Sequence, residues 1–110
     1  MYLIRRAWRV AEPRDTRLAA TIVAELGNVY EDSGQRSPSR VYFNGGTTPG
    51  EKGVVYMEWT ADVIESPYRE GNVFPSFPEG LGPRLREITT ESWIEFHELM
   101  TPAKAVDLDA

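Results

Sequence analysis

Apolar positions along this chain recur at two spacings, every second residue or every third and fourth, and the switches between them mark six elements. Tyr2–Val10 is rich in aromatic and branched residues and contains no glycine or proline, which predicts a first strand. Tyr2, Ile4, Arg6, Trp8 and Val10 form the set expected to be buried, against Leu3, Arg5, Ala7 and Arg9, so one charge, Arg6, stands among the apolar positions. Glu12-Pro13-Arg14-Asp15 breaks the strand. Thr16–Asp32 then spaces Leu18, Ile22, Leu26, Val29 and Tyr30 three and four residues apart, which predicts a helix with Gly34 as its stop. Gly27 inside that helix marks a close approach to the sheet.

Val41 and Phe43 alternate with Arg40, Tyr42 and Asn44 in a second strand over Ser39–Asn44, and Val55, Met57 and Trp59 alternate with Val54, Tyr56 and Glu58 in a third over Val54–Trp59. The glycine-rich run 45–53 between them reads as a hairpin connection. It lacks the spacing of a phosphate-binding loop and leads into a strand, not a helix. Thr60–Ser66 predicts a short helical turn ended by Pro67. Tyr68–Pro78 is a structured loop whose Phe74 and Phe77 either cover a pocket or plug the end of a small core. Leu81, Leu85 and Ile88 predict a second helix within Glu79–Thr90, with Pro83 in its first turn. A fourth strand, Glu91–Met100, follows, and residues 102–110 form a tail that either crosses to a partner or frays.

The order strand, helix, strand, strand, helix, strand predicts a single α+β domain over residues 1–110, of the ferredoxin-like β-α-β-β-α-β type with a four-stranded antiparallel sheet. Both helices would cover one side. The opposite side would then collect Tyr42, Asn44, Tyr56, Glu58, Trp93, Glu95 and His97, a polar and aromatic face holding the one histidine of the chain. Arg5 or Arg6, on the strand between Glu58 and Glu95, would reach these carboxylates.

Composition narrows the partners. The net charge of −5 argues against a nucleic-acid backbone, which needs clustered positive charge. No run is long and apolar enough to span a bilayer, so a membrane is not an expected partner. The absence of cysteine fits a reducing compartment, and a cytoplasmic protein is the expectation.

The element order, the strand ending Glu58-Trp59-Thr60, and the last strand running into Thr101-Pro102 together resemble the dimeric alpha/beta barrel superfamily, over about residues 2–101. That resemblance implies a homodimer in which two sheets pair as a dimeric α/β barrel, with a small-molecule cavity between sheet and helices or inside the barrel. It also implies a reaction on aromatic or polyketide-like metabolites without a metal or flavin, the chemistry of antibiotic-biosynthesis monooxygenase-like proteins. Heme is disfavoured, because the heme-degrading members hold iron through a helix-associated histidine and His97 lies on a strand.

Two residues apart on one strand, Glu95 and His97 lie about 7 Å apart at their Cα atoms and face the same way. Histidine exchanges protons near neutral pH. His97 assisted by Glu95 is therefore the candidate catalytic pair, with Tyr42, Asn44, Tyr56, Glu58, Trp93 and Arg6 as substrate contacts. No cofactor is expected, and the scattered carboxylates with one histidine match no metal-ligand spacing. The expected function is a small cofactor-independent monooxygenase, cyclase or isomerase; the alternative is a noncatalytic dimeric binding or accessory protein. Against the catalytic reading stand a satisfied charge network across the sheet and a histidine buried in an interface or facing solvent.

Overall fold

The computed structural model describes residues 1–109. Its strands are β1 (Tyr2–Val10), β2 (Arg40–Phe43), β3 (Val54–Ala61) and β4 (Thr89–Glu98), and its helices α1 (Thr16–Asp32) and α2 (Leu81–Ile88). All strand pairs are antiparallel and the sheet order is β2-β3-β1-β4, the ferredoxin-like order expected from the element sequence.

Both helices pack on the side of the sheet that carries Ile4, Trp8, Val55, Met57 and Trp59, and these join Ala19, Ile22, Val23 and Leu85 in the core. α1 ends as its sequence predicts: Gly34 takes φ 76°, the Gly34 N–H donates to Glu31 and the Gln35 N–H to Tyr30. This double closure satisfies carbonyls that the last helical turn would otherwise leave unpaired. Gly27 is buried against the sheet, where a Cβ would stand 2.6 Å from Ser39 Oγ and 3.1 Å from Met57 Sδ. The close approach inferred from a glycine in mid-helix is therefore real.

Element boundaries moved where side-chain pattern alone decides little. β2 stops at Phe43 because Asn44 turns into the loop, and α2 begins only at Leu81, after Gly80 at φ 79°. The helical turn expected at Thr60–Ser66 is absent: Thr60 and Ala61 extend β3 instead, paired with Leu3 and Tyr2. Backbone hydrogen bonds to β1 outweigh the weak local preference for a turn.

The expected barrel does not form. The sheet is open, with β2 and β4 as its two edges, so the resemblance to the dimeric alpha/beta barrel superfamily is overturned. The readings that depended on it, a closed dimeric barrel and an antibiotic-biosynthesis monooxygenase-like assignment, fall with it. Alternation along a strand says that it has two faces; it does not say what covers the second. Among the described residues no helix is long and apolar enough to cross a membrane.

Candidate functional site

Register places the side chains of the uncovered face in rows. Arg5 lies between Glu58 on β3 and Glu95 on β4, and Arg40 continues that row on β2. Ala7 lies between Tyr56 and Trp93, with Tyr42 beyond Tyr56, and Leu3 lies between Thr60 and His97. Tyr42, Tyr56, Glu58, Trp93, Glu95 and His97 thus share one face, as the alternation predicts.

Glu95 is the hub of that face. Its oxygens accept from Arg5 Nη2 at 3.0 and 3.1 Å, from Trp93 Nε1 at 3.0 Å, and from the His97 ring at 2.9 Å through Nε2. The bonds from His97 and Trp93, then Arg5, hold its carboxyl below the usual carboxylate range. A carboxylate so occupied is a poor base. Because an ionised carboxylate can only accept, Nε2 of neutral His97 carries the proton and the free lone pair lies on Nδ1. Glu95 therefore fixes the orientation and tautomer of the His97 ring.

Arg5 completes the network. Its guanidinium lies 4.5 Å from the Tyr56 ring centroid, and Tyr56 stacks on Tyr42 at 5.2 Å. The neighbouring Tyr42 phenol and then Glu95 raise the Arg5 pKa against the lowering effect of burial, while burial raises that of the Tyr42 phenol. The rings of Tyr56 and Trp93 flank Ala7, which is completely buried although it points away from the helices. His97, by contrast, has a side chain 53% exposed. The face is a paved surface, and its histidine stands open to solvent.

Two expected contacts lie elsewhere. Asn44 is spent within the turn that follows β2: its amide donates to the carbonyls of Thr48 and Pro49, and its oxygen accepts from Gly46 N–H. Arg6 points to the opposite side of the sheet, among Ile4, Trp8 and Val10, with its guanidinium 5.0 Å from the Trp8 ring. It is Arg5, one residue earlier, that meets the carboxylate.

Arg6 instead lines a half-open cleft of about 460 Å³ between sheet and helices. Trp8, Tyr30, Met57 and Phe77 supply flat or pliant apolar walls, and Arg86 adds a second positive charge. Phe77 meets Tyr30 edge to face at 5.1 Å, so the aromatic loop contributes a wall to this space, while Phe74 packs with the exposed Tyr68. The Gln35 side chain donates to the carbonyl of Val73 and ties that loop to the end of α1. Of the residues named from sequence as substrate contacts, Arg6 alone borders the cavity.

Arg36 adds a feature that the sequence did not signal. Its guanidinium lies 3.5 Å from the Tyr30 ring centroid and 4.0 Å from that of Trp59, and its buried Nη1 has no hydrogen-bond partner. Burial lowers its pKa, and the positive charge of Arg6 adds to the lowering. The one available signal was Arg6 itself, a charge at a position whose neighbours i±2 are core residues. Arg36 and Arg86 fall in a loop and on a short helix, where spacing carries no such information.

Fold and cavity together define an open-faced α+β domain with a ring-walled, positively charged chamber under its helices. No protein-family model matches the chain, and no curated protein sequence matches it. Among the described residues no group of histidines and carboxylates is arranged to hold a metal ion.

Proposed function

We propose that this protein binds a small aromatic or polyketide-like metabolite in the chamber between sheet and helices, without converting it. The observation that carries this reading is the lining: aromatic walls around about 460 Å³, two arginines, and no imidazole or carboxylate. Specific small-molecule sites are largely apolar enclosures with a few placed polar groups, commonly about 300 to 1,000 Å³ in volume. A group able to take a proton from a bound ligand at neutral pH is missing from the walls. The reading places the protein in the cytoplasm, in line with its cysteine-free composition. Calorimetric titration with 2-naphthol and 2-naphthoate tests it, alongside a Leu26→Trp variant that fills the chamber. Saturable binding of at least one probe that disappears in the filled variant, with the probe recovered intact, supports the reading. Binding that survives the filling places the ligand elsewhere and overturns it.

The Glu95–His97 hydrogen bond of 2.9 Å favours a second reading. In it the uncovered face is a cofactor-independent enzyme site, a monooxygenase, cyclase or isomerase centre. His97 Nδ1 removes a proton from a phenol or acidic carbon, Glu95 holds the ring, and Tyr42, Tyr56 and Trp93 flank the substrate. Water must be kept from such a site, and a second copy of the chain laid over the face would do so. Deuterium exchange at the acidic carbon of benzoylacetone is the readout, with His97→Ala expected to slow it about tenfold or more. Equal exchange by both proteins, or sedimentation as a monomer at every concentration, dismisses this reading.

A further inference from the structure

We propose that the ligand of the helix-side chamber is an aromatic carboxylate, whose negative charge is received by Arg6 under the positive field of Arg36. This deepens the binding function proposed above and rests on it.

The ion pairs among the described residues engage Arg5, Arg9, Arg69, His97 and Lys104. Among the described residues Arg6, Arg36 and Arg86 have no carboxylate within bonding reach, a condition they share with Arg14, Arg17, Arg40, Lys52 and Arg84, although acidic residues outnumber basic ones by 17 to 12 in the whole chain. Arg6 and Arg86 line the ring-walled space and Arg36 packs against its Tyr30 wall, so three positive charges meet there with no carboxylate among the described lining residues. Leaving a guanidinium half-buried and unpaired is costly, because water is lost and no counter-charge replaces it. Packing Arg36 between the rings of Tyr30 and Trp59 offsets part of that cost through cation–π attraction. It does nothing for the Nη1 donor, which stays without an acceptor, and nothing for the repulsion between Arg36 and Arg6.

A bound anion would relieve that repulsion. Arg6 borders the chamber directly; Arg36 lies one side chain further out, behind the Tyr30 ring that forms part of the wall. The planar guanidinium of Arg6 suits a planar carboxylate, which it can engage with two parallel hydrogen bonds. The ring-lined walls then select the rest of the ligand. A phosphate monoester would bring nearly two charges into a space whose remaining surface is mostly apolar, at a larger desolvation cost.

The test is a calorimetric titration of the intact chain with three probes of equal ring size: 2-naphthoate, the neutral 2-naphthamide, and 2-naphthyl phosphate. The naphthoate is expected to bind about tenfold or more tightly than the amide, the size of effect expected of a charge-assisted pair, and more tightly than the phosphate. Arg6→Met should remove that preference and Arg36→Met should reduce it, while Arg6→Lys, which keeps the charge, should retain part of it. The Lys variant and thermal melts of all variants separate loss of recognition from loss of fold. Equal affinity for naphthoate and amide overturns the anion inference and leaves the chamber as a site for neutral rings. Tighter binding of the phosphate overturns the carboxylate assignment. A preference unchanged in both Met variants overturns the roles of Arg6 and Arg36. Absence of binding by all three probes overturns the chamber reading along with this one.

Discussion

Arg5 Nη2 stands 3.0 and 3.1 Å from the two oxygens of Glu95, the residue directly opposite it in the β1–β4 register. One nitrogen serving both oxygens leaves Arg5 Nε buried without a partner, and the carboxylate takes its remaining bonds from Trp93 and His97. Arg5→Met is expected to cost about 1 kcal/mol, the value of a charged hydrogen bond discounted for partial exposure. Urea unfolding at neutral pH measures it.

Acid should undo the same hub. The pKa of Glu95 is lower in the folded chain than in the unfolded one, chiefly because of its bonds from His97 and Trp93. Its contribution to stability is therefore present above the ordinary carboxylate range and lost as pH falls through the depressed folded value. Glu95→Gln should be less stable than the parent at pH 7, with the gap closing as the pH is lowered below about 4. A gap that stays constant on acidification would remove the assigned hydrogen bonds as the cause.

Gly27→Ala sets two effects against each other. Helix propensity favours alanine by about 1 kcal/mol, but the new methyl would meet Ser39 Oγ at 2.6 Å and Met57 Sδ at 3.1 Å. Steric conflict in a closed contact should win, giving a net loss of about 1 kcal/mol. Adding Ser39→Ala should recover most of it, and chemical denaturation of the two variants checks the pair.

Met57 is 1% exposed and sits where β3 meets both α1 and the chamber. Met57→Ala should lower stability by about 2 to 3 kcal/mol, the lower part of the range for emptying a core position, because the vacated volume merges with a space that already exists. The denaturation midpoint should fall with little change in slope.

Ile94 and Phe96 lie on the helix-facing side of edge strand β4, yet they are 46% and 47% exposed. α2 is only eight residues long and does not reach over them. Phe96→Lys should leave the melting temperature nearly unchanged while reducing concentration-dependent light scattering, since a charge on an exposed edge discourages association.

Local chemistry determined much of this fold. The period of Leu18, Ile22, Leu26 and Val29 set α1, Gly34 ended it, and Gly27 announced its approach to the sheet. Alternation correctly sorted Tyr42, Tyr56, Trp93, Glu95 and His97 onto one face, because a strand's side-chain period holds whatever lies above it. The open edges of the sheet, by contrast, had no local signature, and a barrel was expected where none forms. Arg6 shows the same division. Its sequence position marked it as an anomaly in a core-facing row, but only the packing of α1, α2 and the Phe77 loop around it created a chamber for it to border. Periodicity is a property of neighbouring residues and can be read along the chain; enclosure and charge balance depend on distant segments meeting, and only the tertiary structure decided those.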